Sequence, residues 1–69
     1  MTATINITLN GEALRTEAPD LATLIAQLGQ PPQALATAVN GEFVARGARA
    51  GKALAEGDAV FTFEPITGG

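Results

Sequence analysis

The chain opens with the strict two-residue alternation that is typical of a half-buried β-strand. Over residues 4–9, polar side chains alternate with the apolar side chains of Ile5, Ile7 and Leu9. Asn10-Gly11 follows, and this dipeptide favours a two-residue hairpin turn because both residues tolerate positive φ. Residues 12–17 are predicted to return as the second strand, with Leu14 and Thr16 facing inward. The pattern therefore predicts a β-hairpin.

The spacing then changes to the period of an amphipathic helix. Asp20 is a suitable N-cap, since its carboxylate can accept hydrogen bonds from the first free backbone N–H groups. Gly29 can adopt the left-handed conformation after the last turn, and Pro31-Pro32 prevent continuation. The apolar stripe of this predicted helix consists of Leu21, Leu24, Ile25 and Leu28.

The second half of the chain reads as short strands separated by turns. Residues 33–37 are predicted to be a connector, and Asn40-Gly41 indicates a second hairpin between residues 38–39 and 42–44. Residues 46–52 are rich in Gly and Ala without a clear period, and we interpret them as a surface loop. Leu54 is predicted to fill the core, Gly57 to supply a turn that Asp58 supports, and residues 59–64 to form the last strand.

This order of hairpin, helix, short hairpin and final strand predicts an α+β fold of the β-grasp (ubiquitin-like) type. One helix can cover one face of one sheet, and the last strand completes the sheet most simply by inserting parallel to the first. The prediction is a mixed four- to five-stranded sheet packed on one main helix. Residues 1–65 would form this domain, and residues 66–69 a flexible C-terminal tail.

Composition restricts the chemistry that the domain can perform. The 69 residues contain no Cys, His, Tyr or Trp, so the commonest general bases, the strongest nucleophile and the usual zinc ligands are missing. The net charge is −3 without a basic cluster, which argues against binding nucleic acid. We therefore predict no catalytic residues, no metal site and no bound cofactor. Without a signal peptide or a long apolar run, the expectation is a cytoplasmic monomer that does not bind membranes.

The residues that carry a family resemblance lie in three segments. They are Ala38-Val39-Asn40-Gly41-Glu42-Phe43-Val44-Ala45-Arg46, Leu54-Ala55-Glu56-Gly57-Asp58 and Pro65-Ile66-Thr67-Gly68-Gly69. Together with the opening hairpin and the helix, they resemble the ThiS family, the bacterial sulfur carriers of thiamine biosynthesis. The likeness covers essentially the whole chain. Ala45 stands where the family usually has proline, and Gly47 to Gly51 fill a loop that often holds a bulky residue.

The resemblance implies a protein co-substrate rather than an enzyme. Gly69 would be the carrier residue: a ThiF-type adenylating enzyme would use ATP to activate its carboxylate, and sulfur would then replace AMP to give a thiocarboxylate. Gly68 and Thr67 would form the flexible neck. The sulfur donor would be a cysteine desulfurase or a rhodanese-like protein, and thiazole synthase would accept the sulfur.

The last strand can be placed in two registers, and a one-residue shift exchanges its faces. Polarity alone would bury Ala59, Phe61 and Phe63, because aromatic residues normally lie in the core. The family register instead turns Val60 and Thr62 toward the helix. We favour the family register, in which Phe61, Phe63 and Ile66 form an apolar partner-binding face beside the tail.

Other functions remain open at this point. The small subunit of molybdopterin synthase shares the fold and the Gly-Gly end, and residues 63–67 are faintly similar to that family, although its members tend to be longer. A tRNA-thiolation carrier or a protein-conjugating modifier would have the same tail. The alternative from a different functional class is a β-grasp protein-interaction module in which the Gly-Gly end has no function.

Overall fold

The computed structural model describes residues 4–29 and 32–64. Its elements are, in chain order, strand β1 (Ile5–Leu9), strand β2 (Glu12–Thr16), helix α1 (Leu21–Gln27), a 3₁₀ turn (Pro32–Ala34), strand β3 (Ala36–Val39), strand β4 (Glu42–Val44), a 3₁₀ helix (Arg46–Gly51) and strand β5 (Ala59–Phe63). The strands form one sheet in the order β2-β1-β5-β3-β4. Because β5 is parallel to β1 and antiparallel to β3, the predicted mixed β-grasp sheet is confirmed, with five strands.

The opening hairpin has the predicted turn and the predicted inward residues. Asn10 and Gly11 have φ values of 52° and 85°, as a two-residue turn with positive φ at both positions requires. Leu14 packs against the core. Thr16 is buried, and its hydroxyl donates to Gln27 Oε1 at 3.1 Å while it accepts from the Ala18 N–H at 3.0 Å. Both capacities of this buried hydroxyl are used, so its burial is not costly.

Helix α1 begins and ends where its sequence predicts. Asp20 Oδ1 accepts from the Thr23 N–H at 2.8 Å, and Gly29 follows the helix with a φ of 75°. The predicted stop at Pro31 lies outside the described residues. The buried core joins the helix stripe to one face of the sheet; it consists of Ile7, Ala18, Leu21, Leu24, Ile25, Leu35, Val39, Val44 and Val60. No helix among the described residues is long and apolar enough to cross a membrane.

The predicted connector over residues 33–37 is wrong at its end, because β3 already begins at Ala36. Thr37 is fully buried, and its hydroxyl donates to the Val44 carbonyl oxygen at 2.9 Å. A threonine at this position looks polar in the sequence, but its hydrogen bond to the neighbouring strand satisfies the hydroxyl inside the core. The strand therefore extends two residues further than hydrophobicity indicates.

The predicted surface loop over residues 46–52 is also partly wrong. Most of the segment is exposed, but it forms a 3₁₀ helix, and Arg49 within it is only 3% exposed. The Arg49 guanidinium donates from Nη2 to the Leu35 carbonyl oxygen at 2.6 Å and from Nε to Thr37 Oγ1 at 3.1 Å. This side chain ties the 3₁₀ helix to the start of β3.

The turn before β5 follows the prediction and fixes where the strand begins. Gly57 has a φ of 85°, and Asp58 Oδ2 accepts from the Ala55 N–H at 2.9 Å. Leu54 is half-buried against the core, as expected. Glu56 is exposed but is more than a solvated surface residue, because its Oε1 accepts from the Asn6 N–H at 2.9 Å.

Arg49→Ala is predicted to lower the free energy of unfolding by about 2–4 kcal/mol, because it leaves a buried carbonyl and a buried hydroxyl without their donor. The matched control is Arg46→Ala in the same 3₁₀ helix, where the side chain is exposed and the expected change is within about 0.5 kcal/mol. Urea denaturation of both variants measures the difference. Equal losses would contradict a structural role for Arg49.

Candidate functional site

The predicted carrier residues themselves, Ile66, Thr67, Gly68 and Gly69, lie outside the described residues. What the structure does describe is the strand from which that segment leaves the domain. Strand β5 is central in the sheet and ends at Phe63, and Glu64 is exposed. The candidate site is therefore the surface around the end of β5.

Strand β5 has the register that the family resemblance favours. Val60 is fully buried, whereas Phe61 and Phe63 are 38% and 54% exposed. Thr62 is half-buried. Both phenylalanines thus lie on the face of the sheet that α1 does not cover, and the polarity argument that would bury them is wrong. Their placement leaves the binding role a prediction.

A third phenylalanine lies on the same face and was not among the predicted site residues. Phe43 in β4 is 71% exposed. It is paired with Ala38, and Ala38 is paired with Phe61, so one row across three strands reads Phe43, Ala38, Phe61. Strand spacing places the two outer members of this row about 10 Å apart, with only a methyl group between them. We call Phe43, Phe61 and Phe63 the aromatic face.

The signal for Phe43 was present in the sequence. A two-residue turn at Asn40-Gly41 pairs Val39 with Glu42 and therefore Ala38 with Phe43. Once β3 lies antiparallel to β5, alternation along each strand places Phe43 on the same side as Phe61. The Asn40-Gly41 turn and strand alternation together therefore predict that Phe43 lies on the uncovered face.

The exposure of these residues is informative because they are all the aromatic residues of the chain. Burying such a side chain would stabilise the fold by about 1.5–3 kcal/mol, and this small domain builds its core from aliphatic residues instead. Exposed apolar surface that could have been buried is typical of interaction sites. The arrangement therefore indicates a docking surface for another protein.

An open groove of about 480 Å³ extends this apolar surface beyond the sheet edge. It lies between β4 and the 3₁₀ helix, and its lining includes Phe43, Val44, Ala45, Ala48 and Lys52. Ala45, which follows β4, forms part of its wall. A partner that covers Phe43 would therefore also meet this groove.

The described residues offer no alternative catalytic centre. Three carboxylates have structural partners: Asp20 caps the helix, Glu56 accepts from Asn6, and Asp58 holds the turn. No group of three or more potential metal ligands occurs within residues 4–29 and 32–64. Among the described residues, the aromatic face is therefore the candidate site.

Comparison with known proteins agrees with this geometry. The sequence profile of the ThiS family matches residues 3–69. The crystal structure of the thiamine biosynthesis protein ThiS from Geobacter metallireducens is similar, with a TM-score of 0.82 and 26% sequence identity over 94% of this chain and 100% of that chain. None of the curated proteins compared with the chain matches it significantly.

Phe63→Thr and Phe43→Thr are each predicted to lower the free energy of unfolding by less than about 1 kcal/mol, because an exposed side chain is replaced by another strand-forming residue. Val60→Ala, in the same strand as Phe63, serves as the contrast. It should lower the free energy of unfolding by about 2 kcal/mol, because it truncates a fully buried side chain. Urea denaturation measures all three. A loss at Phe63 as large as that at Val60 would place Phe63 in the core.

Proposed function

The chain belongs to the ThiS family, and we propose that it is a sulfur carrier of thiamine biosynthesis with Gly69 as the carrier residue. The observation that carries the proposal is the extent of the family match, which spans residues 3–69 and so includes Gly68-Gly69. The aromatic face supports it, because two of its three residues lie on β5 just before this segment and a carrier must dock with enzymes that act on its tail.

The proposed chemistry begins with the weak electrophilicity of a carboxylate. A ThiF-type adenylating enzyme joins the Gly69 carboxylate to the α-phosphate of ATP, and pyrophosphate leaves. The outer sulfur of a persulfide then attacks the acyl carbon and AMP leaves. A thiol finally reduces the sulfur–sulfur bond, and the thiocarboxylate remains on Gly69. Sulfur is the better nucleophile near neutral pH, which suits donation to thiazole synthase.

The domain's own contribution is to bind. Asp20, Glu56 and Asp58 are engaged in structural hydrogen bonds, and in this proposal the activating enzyme supplies the catalytic groups and the ATP site. A tail of two glycines has no side chains to obstruct a narrow channel and offers many backbone conformations. The aromatic face supplies the affinity, since exposed aromatic anchors commonly dominate protein interfaces.

Deletion of Gly69 is predicted to abolish thiocarboxylate formation without changing the free energy of unfolding, because the acceptor carbon is displaced while the packed domain is retained. Intact-mass measurement after incubation with the adenylating enzyme, ATP and a persulfide donor tests this. The wild-type chain should gain the mass difference between sulfur and oxygen on its C-terminal peptide, and only when ATP is present. An unmodified wild-type chain, with an enzyme proven active on another carrier, would overturn the proposed function.

Phe43→Thr and Phe63→Thr are predicted to raise the KM of the adenylating enzyme for this chain on the order of tenfold each, because each removes an aromatic anchor. Steady-state pyrophosphate release at varied carrier concentration measures the change. The control is Ala26→Ser, since Ala26 is exposed on α1 and α1 lies on the opposite side of the sheet. If the control variant raises KM as much as the phenylalanine variants do, the aromatic face is not the docking surface.

A further inference from the structure

The two Asn-Gly turns hold β5 in the same way from its two sides. Asn10 and Asn40 have φ values of 52° and 53°, each followed by a glycine with positive φ. Each asparagine donates its backbone N–H to a β5 carbonyl: Asn10 to Val60 at 2.8 Å and Asn40 to Ala59 at 2.7 Å. Each side-chain Oδ1 also accepts a β5 backbone N–H at 2.9 Å. The asparagines therefore act as turn residues and as partners of the central strand.

The two asparagines hold opposite ends of that strand. Asn40 binds where β5 begins, accepting from the Ala59 N–H and donating from Nδ2 to Asp58 Oδ1 at 3.0 Å. Asn10 binds near its end, accepting from the Thr62 N–H and donating from Nδ2 to Thr62 Oγ1 at 3.0 Å. Thr62 lies between Phe61 and Phe63. It is two residues before Glu64, the last residue that the structure describes.

Asn10 supplies a partner that the backbone of β1 cannot supply. The N–H groups of alternate residues in a strand point to the same neighbour, so Thr62 follows Val60 as the next donor toward β1. The chain of β1 has already turned at Asn10, and the paired positions of β1 and β5 stop at Leu9 and Val60. The amide of Asn10 stands in for the missing backbone acceptor and continues the pairing by one step.

We propose that Asn10 and Thr62 form a positioning clamp for the carrier tail. The clamp holds the end of β5 against β1 while β3 holds its other side through the pair of Ala36 and Phe63. It thereby fixes the direction in which the chain leaves the sheet relative to the aromatic face. The inference rests on the proposed function, because it concerns how the docked tail reaches the activating enzyme's active site.

The direction in which the chain leaves β5 matters because the aromatic face and the reacting Gly69 carboxylate lie at different places in the chain. When the aromatic face is seated, only chain paths that leave β5 at a suitable angle bring Gly69 to the ATP. A misplacement of about 1 Å at a reacting group can reduce the rate by up to about two orders of magnitude. Loss of the clamp should therefore lower kcat while docking, and with it KM, changes little.

The chain offers a closely matched pair of variants for the test. Asn10→Gly and Asn40→Gly each preserve a turn with positive φ, each remove one side-chain amide from β5, and each add the same backbone freedom to the unfolded chain. Four quantities are measured for both: the free energy of unfolding, the rate of hydrogen exchange at the Thr62 amide, and the kcat and KM of pyrophosphate release by the adenylating enzyme.

The expected result separates the two variants. Stability should fall similarly in both, whereas faster Thr62 exchange and a kcat lower on the order of tenfold should appear only in Asn10→Gly. A third variant, Asn10→Asp, should retain at least about half of the wild-type kcat. Its carboxylate can still accept from the Thr62 N–H, and the Thr62 hydroxyl can donate to it.

Two kinds of result would overturn the inference, and they are distinguishable. If kcat is unchanged in Asn10→Gly, or falls equally in Asn40→Gly, the Asn10–Thr62 contact is structural only. If the wild-type chain is not adenylated by an enzyme active on another carrier, the proposed function and the positioning role both fail. In that case Thr62 exchange in Asn10→Gly still decides whether the contact holds the strand.

Discussion

The parallel pairing of β5 with β1 is the constraint on which the other features depend. It brings β5 between β1 and β3, so that the last described strand lies at the centre of the sheet rather than at an edge. It also fixes the register, because Val60 opposite Leu9 must face the helix. With Val60 inward, alternation along the strand leaves Phe61 and Phe63 on the uncovered side.

The same constraint explains why the largest side chains are outside. A sheet covered by one short helix has one buried face, and that face and the helix stripe are built almost entirely from Ile, Leu and Val residues. A 69-residue chain has little stability to spare. Leaving three phenylalanines in water therefore indicates selection for something other than folding. Only the small side chain of Ala38 separates Phe43 from Phe61, and Phe63 lies next to Phe61 along β5, opposite Ala36. One flat partner surface could therefore reach all three phenylalanines.

Local sequence signals predicted the elements that depend on local physics. The Asn-Gly turns, the Asp20 cap, the helix stripe and Gly29 each follow from the conformations that those residues favour, and each lies where its signal indicates. The strand order followed from topology, since one helix and two hairpins leave few ways to complete a sheet. These features together are enough for the β-grasp fold.

The features that the sequence did not reveal depend on partners distant in the chain. Arg49 looks like a solvated cation in a Gly/Ala-rich loop, and only the Leu35 carbonyl and the Thr37 hydroxyl make its burial favourable. Thr37 looks like a connector residue for the same reason. Polarity alone places Phe61 on the wrong face, because aromatic residues are normally buried. The register of β5 decides the face of Phe61, and the pairing of Ala38 with both Phe61 and Phe43 places Phe43 on the same face.

A carrier has to meet two demands that conflict within a single segment of chain. The reacting end must be thin and adaptable enough to enter active sites, while binding needs a rigid surface with defined shape. This fold separates the demands along β5. Val60 belongs to the core, Phe61 and Phe63 lie on the uncovered face that we propose as the docking surface, and the Thr62 N–H between them donates to Asn10 Oδ1. Under the proposed function, β5 directly precedes the carrier segment in the sequence. Binding energy gained at the phenylalanines would then be available to position the Gly69 carboxylate in the activating enzyme.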